Sequence, residues 1–432
     1  MTMLRSVAKD DHHAAEMRPG AVDPSAVPAI DRVVIINDFS VVRGGATQIA
    51  MSEAAALSAR GINVTYIAGD DATSIKDRHD GVTYLGIGSD TIMQANRGKA
   101  FVSGLANLRS ARFLHDFIAT HDTPGTIYHL HGWSKVLSPI ILRPLRRVSN
   151  RLVVHAHDFF LVCPNGGYTD FRASKICSRR PMSAACIVAN CDRRSMAHKA
   201  WRVARGVVLS VFQEFSNCVV VPVHEEMTPH LVYGGIPGGS VKALRNPVTA
   251  WTSTRIEAEN NRRFVFVGRL DADKGADLAC EAAARSGVEL LVIGMGPLFE
   301  DLKQRYPNFE FVGWCDRHQL REKIQDCRAL IMPSRMREPF GIVAVEAISS
   351  GLPIIASDRA MLAGDIVRGG FGVVCDPEDQ TALTAHISEF ANEDGQIEKM
   401  SRNGFTHGYN LAPTPDGWTD QLIALFHSRL EN

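Results

Sequence analysis

The chain has 432 residues and is 45% hydrophobic, enough for large cores, and its length favours two or three domains, of which two is the working count. Its 47 basic and 47 acidic residues cancel, which removes any whole-chain electrostatic attraction to nucleic acid as a class of function. No run approaches the ~20 apolar residues that cross a bilayer, the amino end lacks the apolar core of a secretory signal, and nine cysteines suit a reducing compartment, so a cytoplasmic protein is expected.

Residues 1–30 have little periodicity and are expected to form a loose tail. From Asp31 the pattern changes. RVVIIND is a β-branched strand, VVRGGATQ supplies a glycine turn at Gly44 and Gly45, IAMSEAAALSARG has helical spacing closed by Gly61, and NVTYIAGD is a second strand. Strand, glycine loop, helix, strand is the repeating unit of a parallel α/β sheet. TIYHLHG and RLVVHAHD follow as strands ending in histidines, at the carboxyl edge where open α/β sheets place ligands. The polar stretch from Asn246 to Asn261 reads as a linker.

The second half repeats the grammar. RRFVFVGRLDADKG is a strand and a glycine-basic loop, ADLACEAAARSG a helix, and VELLVIGMGP a strand with a second glycine turn. FEFVGW, a helix through His318 to Cys327, the strand ALIMPS and GFGVVCDPED come next. The last residues, 411–432, read as an amphipathic helix crossing back to the first domain. The expected architecture is therefore two Rossmann-like, doubly wound α/β domains, 31–246 and 261–410, facing each other across a cleft.

The stretch EPFGIVAVEAISSGLPIIASD carries two carboxylates, Glu338 and Glu346, in apolar surroundings. RMREPFG is a loop and IVAVEAISSG a helix, so amides of Phe340, Gly341 and Ile342 are available to an anion such as a diphosphate at the helix N-terminus. Gly341 permits close approach. Glu346, a turn further in, can reach a ribose, and Glu338 can reach the hydroxyls of a sugar on the other side.

With FVGRLDADKG and VIGMGP in the same order, this E-x7-E element resembles the retaining glycosyltransferases of family 4, with the GT-B fold, of bacterial polysaccharide and glycolipid type. The resemblance covers roughly residues 31–432 and is more specific in the second half. It implies that Arg269 and Lys274 clamp the donor diphosphate, that Gly294 and Gly296 let the backbone pass close to the nucleotide, and that Phe311, Val312 and Gly313 lie beside the base. Gly44 and Gly45 match the glycine loop facing the phosphates. His157 is the better match for the catalytic histidine and His131 the second, while His129 and His155 read as ordinary strand residues. A front-face reaction with retention, needing no protein nucleophile and no divalent metal, is what the family implies.

Other readings stand beside these. Asp271-Ala272-Asp273 has the Asp-x-Asp form that holds a divalent ion in glycosyltransferases of another fold. Arg269 and Lys274 also fit a solvated loop paired with Asp271 and Asp273. Cys163, Cys177, Cys186 and Cys191, in a Pro-, Gly- and Arg-rich insertion at about 160–205, suit either a structural zinc, with His157 or His198 as substitute ligands, or plain buried thiols. Between Arg143 and Arg205 stand thirteen Lys or Arg and three acids, a basic face that would attract an anionic membrane surface.

The expected function is transfer of a hexose from a UDP- or GDP-linked sugar to a glycan or polyprenyl-diphosphate-linked acceptor, in cell-surface or exopolysaccharide synthesis, by an enzyme peripheral to the inner face of the plasma membrane. A nucleotide-sugar epimerase of related fold and a noncatalytic nucleotide-sugar or glycan-binding protein are the alternatives.

Overall fold

The computed structural model describes residues 29–42, 44–73, 75, 78–91 and 97–431. The tail expected at 1–30 lies, up to residue 28, outside the described residues. Two six-stranded parallel sheets organise the rest. The first is built from β1 (Arg32–Asn37), β2 (Val64–Ala68), β3 (Val82–Gly86), β4 (Thr126–Leu130), β5 (Leu152–Ala156) and β8 (Val219–Pro222). A small antiparallel pair, β6 (Thr169–Asp170) and β7 (Lys175–Ile176), sits in the cysteine-containing insertion. The second sheet holds β9 (Arg263–Val267), β10 (Leu290–Ile293), β11 (Glu310–Gly313), β12 (Cys327–Met332), β13 (Ile354–Ser357) and β14 (Gly372–Cys375).

The strand orders are β3-β2-β1-β4-β5-β8 and β11-β10-β9-β12-β13-β14. Each reverses direction of travel once, between β1 and β4 and between β9 and β12, and such switch points open a crevice at the strands' carboxyl ends. Nearly unbroken apolar runs such as Val33 to Ile36 and Phe264 to Phe266 are buried, as a sheet covered on both faces requires.

Three sequence expectations change. The helix placed at His318 to Cys327 runs from Arg317 to Lys323, and Cys327 opens β12, because the apolar run Cys327–Met332 is wholly buried as a central strand. The expected linker is packed against the second domain: Trp251, Ile256 and Ala258 are buried, and the amides of Trp251 and Ile256 donate to Ser350 Oγ and O, each at 2.9 Å. Two apolar anchors outweigh its polar composition. The basic stretch is also partly paired within the fold. Arg146, Arg151, Arg179, Arg193 and Arg202 pair with Glu214, Asp122, Asp170, Asp273 and Asp192, and Arg205 is buried over Trp133 and Trp201.

No helix among the described residues is long and apolar enough to cross a membrane. The carboxyl-terminal helix, Pro415–Leu430, buries Trp418, Leu422 and Phe426 in the same core as Val33, Ile35 and Val221, so the end of the chain completes the first domain. Arg429 ties it down by donating to the carbonyls of Asn150 and Asn217 at 2.8 and 2.6 Å. Trp418→Ala is expected to destabilise the protein by about 3–5 kcal/mol, the cost of deleting a fully buried aromatic; an unchanged midpoint in urea unfolding would refute this anchoring role.

Candidate functional site

The loops after β9 and β12 meet at the second sheet's switch point. Asp271 caps the turn Ala272–Lys274, its Oδ1 accepting from the Lys274 amide at 3.0 Å, which aims the Lys274 side chain forward. Gly275 follows with φ of 72°, and a Cβ there would lie 2.1 Å from the Pro333 carbonyl oxygen, so only glycine lets the two loops touch. The second loop is fixed by Arg335, which pairs with Asp277 at 2.7 Å and Glu378 at 2.8 Å. Glu338, buried, accepts from Lys274 Nζ at 2.5 Å. Gly341, at φ 78°, turns the chain into the helix Ile342–Ser349.

A cavity of about 330 Å³ lies between the domains. From the second domain Gly268, Lys274, Ser334, Glu338, Phe340, Gly341, Ile342 and Val343 line it; from the first come Gly45, Ala46, His157, Asp158, Val223 and Asn246. Gly45 begins the helix Gly45–Ala59, and a Cβ at Gly45 would be 3.5 Å from Ile342 Cδ1. Two helix N-termini therefore open on one cavity from opposite domains, with their unpaired amides and positive dipole ends converging. Across the cleft Arg337 lies 2.9 Å from His230, and Arg245 and His224 bond Asp365 at 2.9 and 3.1 Å.

Of the residues expected from sequence, Gly45, His157, Lys274, Glu338, Phe340, Gly341 and Ile342 come together around this cavity. Others do not line it. Gly44 precedes the first helix with extended backbone. Gly294 and Gly296 allow close approach within the protein: Cβ atoms there would meet the carbonyl oxygens of Gly268 and Leu270 at 1.8 and 2.2 Å, so they let the loop after β10 seat the site's own loop. Gly313 accepts from the Gly294 amide at 2.7 Å and Phe311 packs edge-on to Phe299, with Val312 half-buried between. Arg269 is largely exposed and holds Asp271. Asp271 and Asp273 are engaged with Arg269 and Arg193 respectively.

Glu346 is half-buried one turn inside its helix, with the Arg317 guanidinium 4.0 Å away. Burial pushes its carboxyl up to about 7, and the opposing pull of Arg317 and Trp251 is too weak to restore it. Asp158, beside His157 and missed in the sequence, is raised to about 6 by burial. Its only sequence signal is its place directly after a strand-end histidine.

The largest departure from expectation is behind His157. His129, His131 and His155 are not isolated strand residues: with His157 they form a stacked group of imidazoles on one face of β4 and β5. Glu53, fully buried on the helix Gly45–Ala59, lies 2.6 Å from His129 Nδ1 and 2.8 Å from His131 Nε2. Burial alone would raise the Glu53 carboxyl, but the charges and hydrogen bonds of His129 and His131 outweigh it and hold it at about 2. Burial lowers His131 to about 4 and His155 and His157 well below the usual imidazole value.

The four cysteines, read from sequence either as a zinc cage or as buried thiols, do not bring three ligand atoms together among the described residues. Among the described residues, His129, His131 and His155 are the one group of three or more His, Cys, Asp or Glu whose ligand atoms lie within 4.8 Å of one another. Lys199 instead places its ammonium 3.5 Å from Cys186 and 3.3 Å from Cys191, while Cys163 donates to Asn165 at 3.1 Å. The half-buried Cys177 accepts from Arg179. His198 bonds Ser195 at the start of its own helix.

Residues 251–407 match the family model for glycosyl transferases group 1. Glycogen synthase of Mycobacterium tuberculosis is 26% identical over 266 residues, covering 58% of this chain and 62% of that protein. O-antigen chain mannosyltransferase C of Escherichia coli is 26% identical over 186 residues, covering 41% and 49%. The chain thus spans less than two thirds of either curated relative. HepE of Anabaena, solved in complex with UDP, superposes with a TM-score of 0.63 at 14% identity, covering 92% of this chain and 100% of that one. The fold is GT-B, and the match to the glycosyl transferases group 1 model falls in its second domain.

Glu346 makes stability depend on pH. Its folded pKa stands above the unfolded value of about 4.3, so its contribution is intact below that value and is lost as pH rises through about 7. Between pH 5 and 8 the wild type is expected to lose up to about 3 kcal/mol relative to Glu346→Gln. Parallel denaturation midpoints for the two proteins across that range would refute the burial argument.

Proposed function

We propose that this protein is a retaining glycosyltransferase that moves a hexose from a UDP- or GDP-linked sugar to a glycan or lipid-linked glycan. The observation carrying this reading is the convergence of two helix N-termini with Lys274 and Glu338 on one interdomain cavity. A diphosphate suits the converging amides, and Lys274 adds the one cation that lines the cavity among the described residues. Donor binding divides the Lys274–Glu338 pair: the ammonium turns to the phosphates and the carboxylate accepts from sugar hydroxyls, so neither buried charge is left alone. Glu346, placed for the ribose, accepts its hydroxyls better once ionised.

In the reaction, the bond between the anomeric carbon and the phosphate oxygen breaks, and negative charge grows on the leaving diphosphate where amides and Lys274 already point. The acceptor hydroxyl attacks from the same face and passes its proton toward that phosphate. Positive charge from the protein at this position leaves no step that calls for a divalent ion. Closure of the cleft excludes water and so limits hydrolysis of the donor. The group 1 match and the UDP-bound neighbour support the donor class; the glycan-building relatives support the acceptor class.

For a lipid-linked acceptor and an inner-membrane location, support comes from the insertion. Ile187, Val188, Met196, Val207 and Val211 are exposed there together with Arg180 and Arg194. Although five of the thirteen basic residues pair with acids, this residue mixture fits an anionic lipid surface.

Nucleotide sugars are expected to protect the full chain against thermal unfolding, by about 2.7 kcal/mol at a hundredfold excess over Kd. Lys274→Ala should abolish that protection and Glu338→Ala should lower kcat by about 10²–10³-fold. Transfer should continue with a chelator present, and product analysis should show a new glycosidic bond; a rearranged donor without acceptor would mean an epimerase. Protection undiminished in Lys274→Ala would overturn the site. In flotation assays the protein should bind vesicles containing phosphatidylglycerol and not pure phosphatidylcholine; equal recovery with both refutes the membrane reading.

A further inference from the structure

Four imidazoles and one carboxylate on a buried sheet face need an explanation that packing does not supply, since aliphatic side chains would fill the space without polar cost. His129 points its two nitrogens in opposite directions, Nδ1 to Glu53 at 2.6 Å and Nε2 to His155 Nδ1 at 3.2 Å. His131 places Nε2 2.8 Å from Glu53, nearer than its 3.3 Å to His129 Nδ1, and Nδ1 3.0 Å from His157 Nε2. Both Glu53 contacts are hydrogen-bond lengths, so the carboxylate takes one nitrogen of each ring. The group is a ladder that begins at Glu53 and ends at the cavity.

An ionised carboxylate only accepts, so both nitrogens facing Glu53 carry protons. His131, neutral, then has a bare Nδ1, and His157 must donate to it from Nε2. On the other branch His155 Nε2 is buried without a partner. An orphaned lone pair is the lesser loss compared with an orphaned N–H, so His155 carries its proton on Nδ1 and donates to His129. One buried charge orders every tautomer in the ladder.

We propose that Glu53, acting through His131, is the positioning residue that fixes His157 in its Nε2–H tautomer and so presents its other nitrogen, Nδ1, to the cavity as a hydrogen-bond acceptor for a substrate hydroxyl. This rests on the glycosyltransferase reading above. It makes His157 a group that orients a hydroxyl, and it excludes His157 as a donor to the departing phosphate. Glu53 touches no substrate, because the whole of His131 stands between it and His157.

The test has two independent readouts on the full chain. Two-bond nitrogen–proton spectra of ¹⁵N-histidine-labelled protein, with the His157 signal identified by its loss in His157→Gln, report the tautomer directly. An Nε2–H signal at neutral pH is expected; an Nδ1–H tautomer or an imidazolium overturns the proposal whatever the kinetics show. In Glu53→Gln, whose amide cannot accept from both rings, kcat should fall about 10–100-fold with the donor KM unchanged, and Glu53→Asp should recover part of it. Equal kcat in wild type and Glu53→Gln, or a loss confined to KM, also overturns it. Because the spectrum of the wild type needs no turnover, absence of glycosyl transfer would refute the functional reading while leaving the tautomer result to stand or fall by itself.

Discussion

The rest of the structure depends on two helix N-termini being brought face to face. Gly45 and Ile342 belong to different domains, yet a Cβ on Gly45 would touch the Ile342 side chain, and each residue opens a helix whose first amides have no partner within it. Concentrating that much positive potential in one place costs free energy when nothing offsets it. Glu338 provides the offset from within the protein, and Lys274 keeps that carboxylate from standing alone. The site is in this sense balanced while empty: it holds a cation and an anion that neutralise each other and that a phosphorylated sugar can claim separately. Placing the loops at the switch point of each sheet is what makes such convergence geometrically available.

The second domain was legible because its determinants are local. Gly341 must turn with positive φ, Glu338 precedes it by three residues, and Lys274 precedes Gly275, another obligatory turn, so chain spacing already encodes the contacts. Gly294 and Gly296 were picked out for close approach, but a glycine tolerates close approach of any backbone, and sequence gives no sign that these two pack against the protein's own loop. Arg269 was singled out by charge and motif, but charge alone does not tell an arginine that reaches into a cleft from one that turns back on Asp271 two residues away.

The first domain was less legible because its determinants are long-range. Glu53 is separated from His129 by 76 residues and from His131 by still more, and a glutamate in an otherwise ordinary amphipathic helix gives no sign that it is fully buried. The doubled His-x-His was visible, yet its meaning depends on β4 and β5 lying side by side. The cysteines mislead for the same reason. Their density suggested a metal, whereas Lys199, eight residues beyond Cys191, occupies the space between two of the sulphurs. In the insertion, likewise, a count of basic residues hid Arg193 bridging to Asp273 of the other domain.

The return of the last helix to the first domain has a mechanical meaning. The chain passes between domains twice, once near Val248 and once near Pro413, and these two passages are themselves joined by a hydrogen bond of 3.1 Å. Paired strands of covalent backbone at a single place define an axis. Motion of one domain relative to the other is then a rotation about that axis, like a book on its spine, with sliding and free tumbling suppressed. The far rim, where Arg337 meets His230, travels furthest as the pages part, and contacts of that kind decide how long the book stays shut.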